Sequence, residues 1–500
     1  MSKIERTSTI AANPTTHRAV SVHLSYDPKS DRIAYASGKS VFLRSVSKPE
    51  ETIQYTEHNF NTTVAKFSPS GFYIASGDES GNVRVWDTQS EDLILKGDYQ
   101  IINGRINDIC WDADSNRIIA VGDGKERYGH CFTYDSGNTV GEISGHSAPI
   151  NAVSIKPNRP YRAVTVSDDA GLVFMQGPPF RFNQSIRGHH NNFVRDVRYS
   201  KNGEYIVSVG ADRTAVLYEG KTGEFLKKFE NVHDAGIFSV DWYDDKSFVT
   251  TSADSTVKLT SIEGELLKTW SLEKKVDNHI LGVVRTKDYV IALTLAGFLY
   301  YFDESSEKPV KIVYGHQKSI TALAYSAKKG LLTGSYDGKV LNWDLAKKDA
   351  DYVTGEPHTN LVVGIENVDD EFVTAGWDDT IKKVEGTEIV NLQNLGKQPI
   401  QTSSYKDTVA VITDGELSLY SASGKLEKSA KLNFTPSAVA ISAKYVIIAN
   451  AATFELKIFD SSLSPVSKVL EPKPRSKVTA LEASPNGKSL AAGDSTDQHH

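Results

Sequence analysis

The chain has 500 residues, 39% of them apolar, and a formal net charge of −7. The mild charge excludes a strongly basic nucleic-acid binder and a polyacidic tail protein, and the apolar content excludes a disordered chain. The only two cysteines, Cys110 and Cys131, exclude a disulfide framework and a four-cysteine zinc site.

The N-terminal residues and the apolar segments indicate the compartment. Residues 1–18 lack the apolar core of a secretory signal. The longest apolar stretches, such as Tyr445–Ala452, are far shorter than the roughly 20 residues that a membrane span needs. Because two thiols in so long a chain also suit a reducing environment, we expect a soluble, intracellular protein, with no membrane insertion and no nucleic-acid partner.

An aspartate flanked by glycine or serine recurs after short apolar runs along the chain. Its period of about 40–45 residues is that of WD40 propeller blades. Each unit reads as four strands separated by turns, and no stretch shows an apolar period of helical length. The sequence therefore predicts an all-β fold of WD40 β-propellers. The clearest of these aspartates are Asp78, Asp212, Asp254, Asp337 and Asp379.

About twelve such units follow one another, and because a single propeller holds four to eight blades, two propellers are needed. We predict a seven-bladed propeller over residues 1–316 and an incomplete second one of about five blades over 317–500. Two closures stay open. In one, Ile4–Ile10 forms the outer strand of the seventh blade and residues 308–315 open the second propeller. In the other, residues near the N-terminus help to close the second propeller.

Buried polar groups need partners, so a WD40 blade links a loop histidine, a strand serine or threonine, the turn aspartate and a tryptophan. Gly145-His146 and Gly188-His189 supply loop histidines of this kind. Because these residue types recur in every blade, chance Ser/His/Asp triads are expected, and no GxSxG, P-loop or HExxH motif is present. We expect no enzyme activity, no cofactor and no metal. One predicted structural set is His316, Ser335, Asp337 and Trp343.

Three segments contain residues that the repeat does not require. They are the turn Lys125–Gly129, the stretch Gly177–Phe182 (GPPFRF) and the stretch Asn191–Asp196 (NNFVRD). In one interpretation, one of Phe180 and Phe182 is a core residue and the other covers it. In the other, at least one of them is exposed and anchors a partner. Exposed aromatic residues next to arginine and acidic residues are typical of protein interfaces.

Several blocks resemble the actin-interacting protein 1 family. They are residues 23–44, 64–87, 133–147, 174–200 and 334–344, and the GPPFRF and YDSGN blocks are the most specific because the repeat does not demand them. The resemblance implies two seven-bladed propellers that bind actin filaments together with cofilin or actin-depolymerising factor. It also implies filament disassembly, restraint of regrowth at barbed ends and no covalent chemistry, for a monomer at cortical actin structures in the cytoplasm.

The same resemblance implies a binding surface on the first propeller. Of the two neighbouring aspartates, we predict that Asp169 is structural and that Asp168 faces outward. The residues that it assigns to actin and cofilin are Glu126, Asp168, Phe182 and Phe193, with Phe180 beside them and Lys125 and Arg127 as charges at the rim.

The family pattern continues for about two blades beyond the segment AAGD at residues 491–494, which leads us to expect an incomplete second propeller. Two other functions remain to be weighed. A WD40 scaffold or substrate receptor of another complex would carry an added helical module or a basic face. A propeller hydrolase would need acidic residues or histidines that converge on the channel.

Overall fold

Alternation of apolar and polar residues produces strands along nearly the whole chain. A computed structural model describes residues 5–484 and 486–496, where the one helical segment is the 3₁₀ turn Val276–Asn278. No helix of this part of the chain is long and apolar enough to cross a membrane. The described residues divide into two compact units on either side of the Gln317–Lys318 bond.

The first unit contains seven four-stranded antiparallel sheets, each with its strands in chain order. The first three sheets are β1 (Ser25–Asp27), β2 (Arg32–Ser37), β3 (Ser40–Ser45) and β4 (Thr52–Tyr55); β5 (Thr62–Phe67), β6 (Tyr73–Asp78), β7 (Asn82–Asp87) and β8 (Leu95–Gln100); and β9 (Gly104–Trp111), β10 (Arg117–Gly124), β11 (Gly129–Thr133) and β12 (Thr139–Glu142).

The other four sheets of this unit are β13 (Ile150–Ile155), β14 (Arg162–Ser167), β15 (Leu172–Gln176) and β16 (Arg181–Ile186); β17 (Val194–Tyr199), β18 (Tyr205–Gly210), β19 (Ala215–Glu219) and β20 (Phe225–Phe229); β21 (Ile237–Asp244), β22 (Ser247–Ser252), β23 (Thr256–Ser261) and β24 (Leu266–Ser271); and β25 (Ile280–Arg285), β26 (Val290–Thr294), β27 (Leu299–Phe302) and β28 (Lys311–Val313).

These seven sheets close into a ring. The first strand of each sheet packs against that of the next, and β25 of the seventh sheet packs against β1 of the first. The backbone N–H of Val22 donates to the carbonyl of Leu281 at 3.0 Å across this junction. One buried apolar cluster contains Tyr35 of the first sheet and Tyr301 of the seventh. The first sheet is thus a member of the first unit.

The segment before the first sheet fastens this junction without forming a strand. The Asn13 side chain donates to the carbonyls of Gly297 and Val313 at 2.8 and 2.9 Å. Residues 5–10 have no strand pairing, and Ile4 lies outside the described residues. The expectation of an outer strand from Ile4–Ile10 is therefore wrong for residues 5–10. The outer strand of the seventh sheet is instead Lys311–Val313, so residues 308–315 do not open the second unit.

The second unit contains four complete sheets and a final pair of strands. They are β29 (Ile320–Ser326), β30 (Gly330–Ser335), β31 (Val340–Asp344) and β32 (Asp349–Tyr352); β33 (Thr354–Gly355), β34 (Val362–Val368), β35 (Glu371–Gly376), β36 (Thr380–Glu385) and β37 (Glu388–Asn394); β38 (Pro399–Tyr405), β39 (Thr408–Thr413), β40 (Glu416–Ser421) and β41 (Leu426–Lys431); β42 (Pro436–Ile441), β43 (Tyr445–Asn450), β44 (Leu456–Asp460) and β45 (Pro465–Val466); and β46 (Val478–Ala483) with β47 (Leu490–Asp494).

Buried polar networks fasten the turns of several blades. In each, a loop histidine is hydrogen-bonded through Nδ1 to the turn aspartate and through Nε2 to a hydroxyl of the second strand. The side chains of Trp86 and Trp343 donate to such hydroxyls, on Ser76 and Thr333. The sets are His58, Ser76 and Asp78; His146, Thr165 and Asp169; His190, Ser208 and Asp212; His233, Thr250 and Asp254; and His358, Thr374 and Asp378.

Three predicted members of these networks are wrong by one or two residues. The histidine of the fifth blade is His190, while His189 stacks on Phe225 with 4.0 Å between ring centroids. The turn aspartate of the second unit's second sheet is Asp378 and not Asp379.

The third correction concerns the set proposed for the second unit's first blade. Trp343 Nε1 donates to Thr333 at 2.7 Å rather than to Ser335. Ser335 donates to Asp337, and Lys339 pairs with the other oxygen of Asp337 at 2.7 Å. The His316 carbonyl accepts from the backbone N–H of Asn13, and membership of the His316 side chain in this set stays a prediction.

Candidate partner-binding face of the first unit

The blade networks contain serine, histidine and aspartate in the arrangement of a hydrolytic triad, but burial excludes that chemistry. His58 Nε2 lies 2.7 Å from Ser76 Oγ, and its Nδ1 lies 3.1 Å from Asp78. Ser76 is fully buried, and its hydroxyl also accepts a hydrogen bond from Trp86. A nucleophile must reach its substrate, so this set fastens the blade instead.

The two neighbouring aspartates of the fourth blade have different surroundings. Asp169 is bonded to His146 Nδ1 at 3.0 Å and accepts from the backbone N–H groups of Ser147 and Gly171. Burial opposes ionisation of Asp169, but these hydrogen bonds and the charge of His146 hold its pKa below the usual range. Asp168 lies outside the network, and its Oδ1 accepts from the Asn151 amide at 2.8 Å.

Asp168 and Phe193 come together at a cavity of about 330 Å³ at one end of the ring. Asp168 lies in the turn between β14 and β15, and Phe193 directly precedes β17. The Phe193 side chain is 48% exposed. An acidic group and an exposed aromatic ring thus share one concave surface, which suits insertion of a partner's side chain.

Two arginines also line this cavity: Arg195 belongs to the stretch NNFVRD, whereas Arg105 was not identified from the sequence. Arg195 donates to the carbonyl of Ala19 at 2.9 Å, and its guanidinium lies over the Phe238 ring at 4.2 Å. Arg105 Nε donates to Asn107 Oδ1. Burial lowers the pKa of both arginines, which remain cationic near neutral pH. Asp108 and Asp196 occupy the same place in their blades, but Arg105 stands three residues before its aspartate and Arg195 one before, so the repeat gives the two arginines no shared position.

Phe180 and Phe182 have opposite environments. Phe180 is fully buried in the core of the third and fourth blades, and its backbone pairs with Gly141. The expectation that Phe180 contacts a partner is therefore wrong, because its side chain is inaccessible in the folded sheet. Phe182 is 47% exposed and lies against Gly145, where an added Cβ would stand 2.7 Å from its ring. The backbone of Phe182 pairs with Met175 near the turn between β15 and β16, while its ring reaches Gly145 beside the network residue His146.

The turn between β10 and β11 carries the predicted charges. Lys125, Glu126 and Arg127 are all exposed, and Arg127 Nε donates to the carbonyl of Ile101 at 3.0 Å. Asp123, just before them, lines the same cavity as Asp168. The structure thus brings Asp168 and Phe193 together, with the charged turn beside the cavity. Phe182 stands apart on the outer strand of its blade.

An ionic cluster adjoins this cavity, which its member His23 also lines. Arg198 donates to Asp108 Oδ2 at 3.0 Å and lies 3.2 Å from Asp196 Oδ1. Lys66 lies 3.5 Å from the other oxygen of Asp108, and His23 lies 3.5 Å from Asp196. The cluster ties strands of separate blades to one another across the channel.

The charges of the cluster compensate one another. Burial opposes ionisation of Asp108, but the charges of His23, Lys66 and Arg198 hold its pKa below the usual range. Among the described residues, the one group of histidine, cysteine, aspartate or glutamate close enough to share a metal ion is His23, Asp108 and Asp196. The guanidinium of Arg198 already occupies the cationic position between these groups, so they do not form a convincing metal site.

Comparison with known proteins places the chain in a family. The WD domain, G-beta repeat model matches residues 49–87, 137–173, 180–219, 223–261 and 307–344. A WD repeat-containing protein of Schizosaccharomyces pombe is 42% identical over 98% of this chain and 83% of its own length. Actin-interacting protein 1 of Drosophila melanogaster is 36% identical over 98% of this chain and 82% of its own length. The chain belongs to the WD repeat-containing protein 1/actin-interacting protein 1 family.

Membership in this family agrees with the architecture. WD repeat-containing protein 1 of Xenopus tropicalis is 37% identical over 86% of this chain and 73% of its own length. The alignments extend through both units, so the second unit belongs to the family pattern as much as the first. The all-β fold of four-stranded WD40 blades, expected from the repeat, is confirmed.

Proposed function

We propose that this chain binds actin filaments together with cofilin or actin-depolymerising factor, promotes filament disassembly and caps barbed ends, without covalent chemistry. The observation that carries the proposal is the exposed ring of Phe193 beside Asp168 on the first unit, where Phe182 is a second exposed ring on the outer strand of the fourth blade. These residues lie in a chain whose Drosophila relative is named for interaction with actin. On this proposal the protein works as a monomer on the cytoplasmic actin cytoskeleton, at cortical structures.

The proposed contact surface divides into anchors and rim. Phe182 and Phe193 are the anchors, because exposed aromatic rings that become buried in a complex contribute most to binding. Lys125, Glu126 and Arg127 form a charged rim, which sets the association rate and its salt dependence more than the affinity. Asp168, fixed by Asn151, supplies an oriented carboxylate in the same cavity as Phe193.

Disassembly then follows from unequal affinity. A ligand shifts an equilibrium only when it binds one state more tightly, so the protein must prefer filament ends or filament segments altered by cofilin. Two binding units in one chain would add avidity without any new contact. No step in this mechanism needs a cofactor.

The test is a sedimentation experiment with actin filaments, cofilin and this protein, in which actin left in the supernatant is measured. We expect release only when both proteins are present. Phe182→Ala and Phe193→Ala should each lower this release roughly tenfold, because each removes an anchor. Release that is unchanged in both variants would contradict the proposed surface.

A matched control is available on the same unit. Phe72 is as exposed as the two anchors but lies in the turn between β5 and β6, whereas Phe193 precedes a first strand and so lies at the opposite end of its blade. Phe72→Ala should leave actin release within about twofold of the original protein. An equal loss in this control would show that general destabilisation, and not the proposed face, determines the result.

A further inference from the structure

A cavity of the second unit plays no part in the proposed function. It has a volume of about 580 Å³ and lies between the end of β41 and the strands β44 and β45. Its floor is apolar, formed by Leu432, Phe434, Leu456, Ile458 and Val466. A cavity of this size with an apolar floor is large enough for several side chains of a partner.

The cavity exists because the outer strand of this blade is short. β45 has two residues, which pair with Ile458 and Phe459 of the five-residue β44. Beyond Val466 the chain turns away, and the N–H of Lys468 bonds back to the carbonyl of Val466. The outer side of β44 at Leu456 and Lys457 thus extends past the end of β45. The preceding blade differs, because its outer strand β41 has six residues.

Lysines surround this cavity in a protein that is acidic as a whole. Lys431, Lys457, Lys468 and Lys473 line it against a single acidic residue, Glu455. Lys457 pairs with Glu455 at 2.9 Å, which leaves a local excess of positive charge in a chain of net charge −7. We call this feature, with its apolar floor and these four lysines, the lysine-rimmed groove.

We infer that the lysine-rimmed groove is a docking site for an extended segment of a partner protein in which acidic and apolar residues alternate. The apolar side chains would fill the floor, and the acidic ones would face the lysines. The main chain would continue the sheet along β44 beyond the end of β45, as in strand addition. An anionic lipid would match the lysines and the floor but would not use the strand edge, so a peptide accounts for more of the site.

The inference does not depend on the proposed function, because the groove and the face with Phe182 and Phe193 lie on different units. Exposure of Val469 supports it further. This side chain is 69% exposed next to the groove, and a bound segment would cover it.

The first experiment measures fluorescence anisotropy of a labelled peptide of about ten alternating glutamate and valine residues, added to the full chain. We expect saturable binding that weakens with salt, and no binding of the matching lysine and valine peptide. A glutamate and valine peptide with N-methylated backbone amides should bind at least about tenfold more weakly if strand addition contributes. No saturable binding up to roughly 1 mM would overturn the inference.

Two variants locate the site. Lys431→Glu with Lys473→Glu should weaken the peptide at least about tenfold, because both lysines line the groove. Lys425→Glu with Lys488→Glu changes the net charge equally at two exposed positions outside the groove, and it should change affinity less than about twofold. Equal losses in the two pairs would overturn the inference, because only nonspecific charge attraction would then remain.

Two readouts separate the peptide from other occupants. Hydrogen exchange should slow at Leu456 and Lys457 when the glutamate and valine peptide is bound, because their edge becomes paired. Flotation with vesicles of phosphatidylserine and phosphatidylcholine tests the lipid. Vesicle binding that Lys431→Glu with Lys473→Glu abolishes, without any slowing of exchange at Leu456, would assign the groove to a membrane surface and overturn the peptide.

Discussion

The two units are built from the same repeat, but their first strands have different environments. In the first unit the ring is closed, and Val197 of β17 and Ile109 of β9 are buried against neighbouring sheets. In the second unit, β29 has a similar apolar sequence, yet its Leu323 and Tyr325 are 65% and 58% exposed. The repeat therefore specifies a blade, whereas burial of its inner strand depends on the neighbouring blades.

The two units also differ in how the carboxylates on their first strands are compensated. In the first unit, Asp108 of β9 and Asp196 of β17 both pair with Arg198. In the second unit, Glu366 is partly buried and its carboxylate accepts from the hydroxyl of Thr402. Burial raises the pKa of Glu366, while the hydroxyl of Thr402 opposes the increase. The closed ring thus holds charges by pairing them, and this difference can be tested by mutation.

The largest effect is expected at the centre of the first ring. Arg198→Met leaves Asp108 and Asp196 buried without their main cation, so the free energy of unfolding of the first unit should fall by about 3–5 kcal/mol. Urea unfolding followed by tryptophan fluorescence measures this change. Arg159→Ala, which removes an exposed ion pair with Asp114, should cost less than about 1 kcal/mol. If both variants cost the same, the buried cluster does not stabilise the ring.

The next effect compares one network in each unit. His58→Ala removes the partner of buried Ser76 and Asp78, and it should cost about 2–3 kcal/mol. Ser335→Ala, in the second unit, should cost less than about 1 kcal/mol, because Asp337 keeps its ion pair with Lys339. Thermal unfolding of both variants checks the order, which would be wrong if Ser335→Ala were the more damaging change.

The fold was predictable to the extent that its signals are local. The turn aspartates recur because each blade must satisfy the same buried groups, so a period of about 40–45 residues suffices to recognise the blades. The errors occur where two suitable residues are adjacent or nearly so, as with His189 and His190 or Asp378 and Asp379. These residues lie in loops and turns between strands, so only the packing of the folded blade decides which of the two neighbours faces the buried network.

The candidate site was predictable only in part, for the same physical reason. The block containing Phe180 and Phe182 was identified, but which ring is buried depends on the core of two blades. Arg105 and Arg195 are far apart in sequence, and they line the same cavity only because the blades form a ring. The sequence does not show that the outer strand β45 is short, because the strand before it, β44, has the same apolar pattern as the third strands of complete blades.

A smaller effect concerns pH and should be common to both units. Burial opposes ionisation of Asp254 and Asp378, but the bonds from His233 and His358 keep the pKa of each carboxyl below its usual range. A lowered folded-state pKa stabilises the protein above the ordinary aspartate pKa of about 3.9, and this stabilisation is lost as the pH falls below it.

Asp254→Asn and Asp378→Asn should therefore reduce the stability at pH 7 and flatten its decline below about pH 4. Urea midpoints measured from neutral to acidic pH test this expectation for each unit. The parent protein and both variants would have parallel pH profiles if these carboxylates were not coupled to folding.

The smallest change in stability is expected where the two units differ most in exposure. Leu323→Lys with Tyr325→Lys places charges on an already exposed strand, so unfolding free energy should change by less than about 0.5 kcal/mol. Val197→Lys on the buried strand β17 should instead prevent the first unit from folding, because a charge would be buried without a partner. Light scattering should also show less self-association of the double variant than of the parent, since exposed apolar strands attract other chains. If the double variant is destabilised as strongly as Val197→Lys, then β29 is covered in solution. The two units would then differ only in how their buried charges are paired.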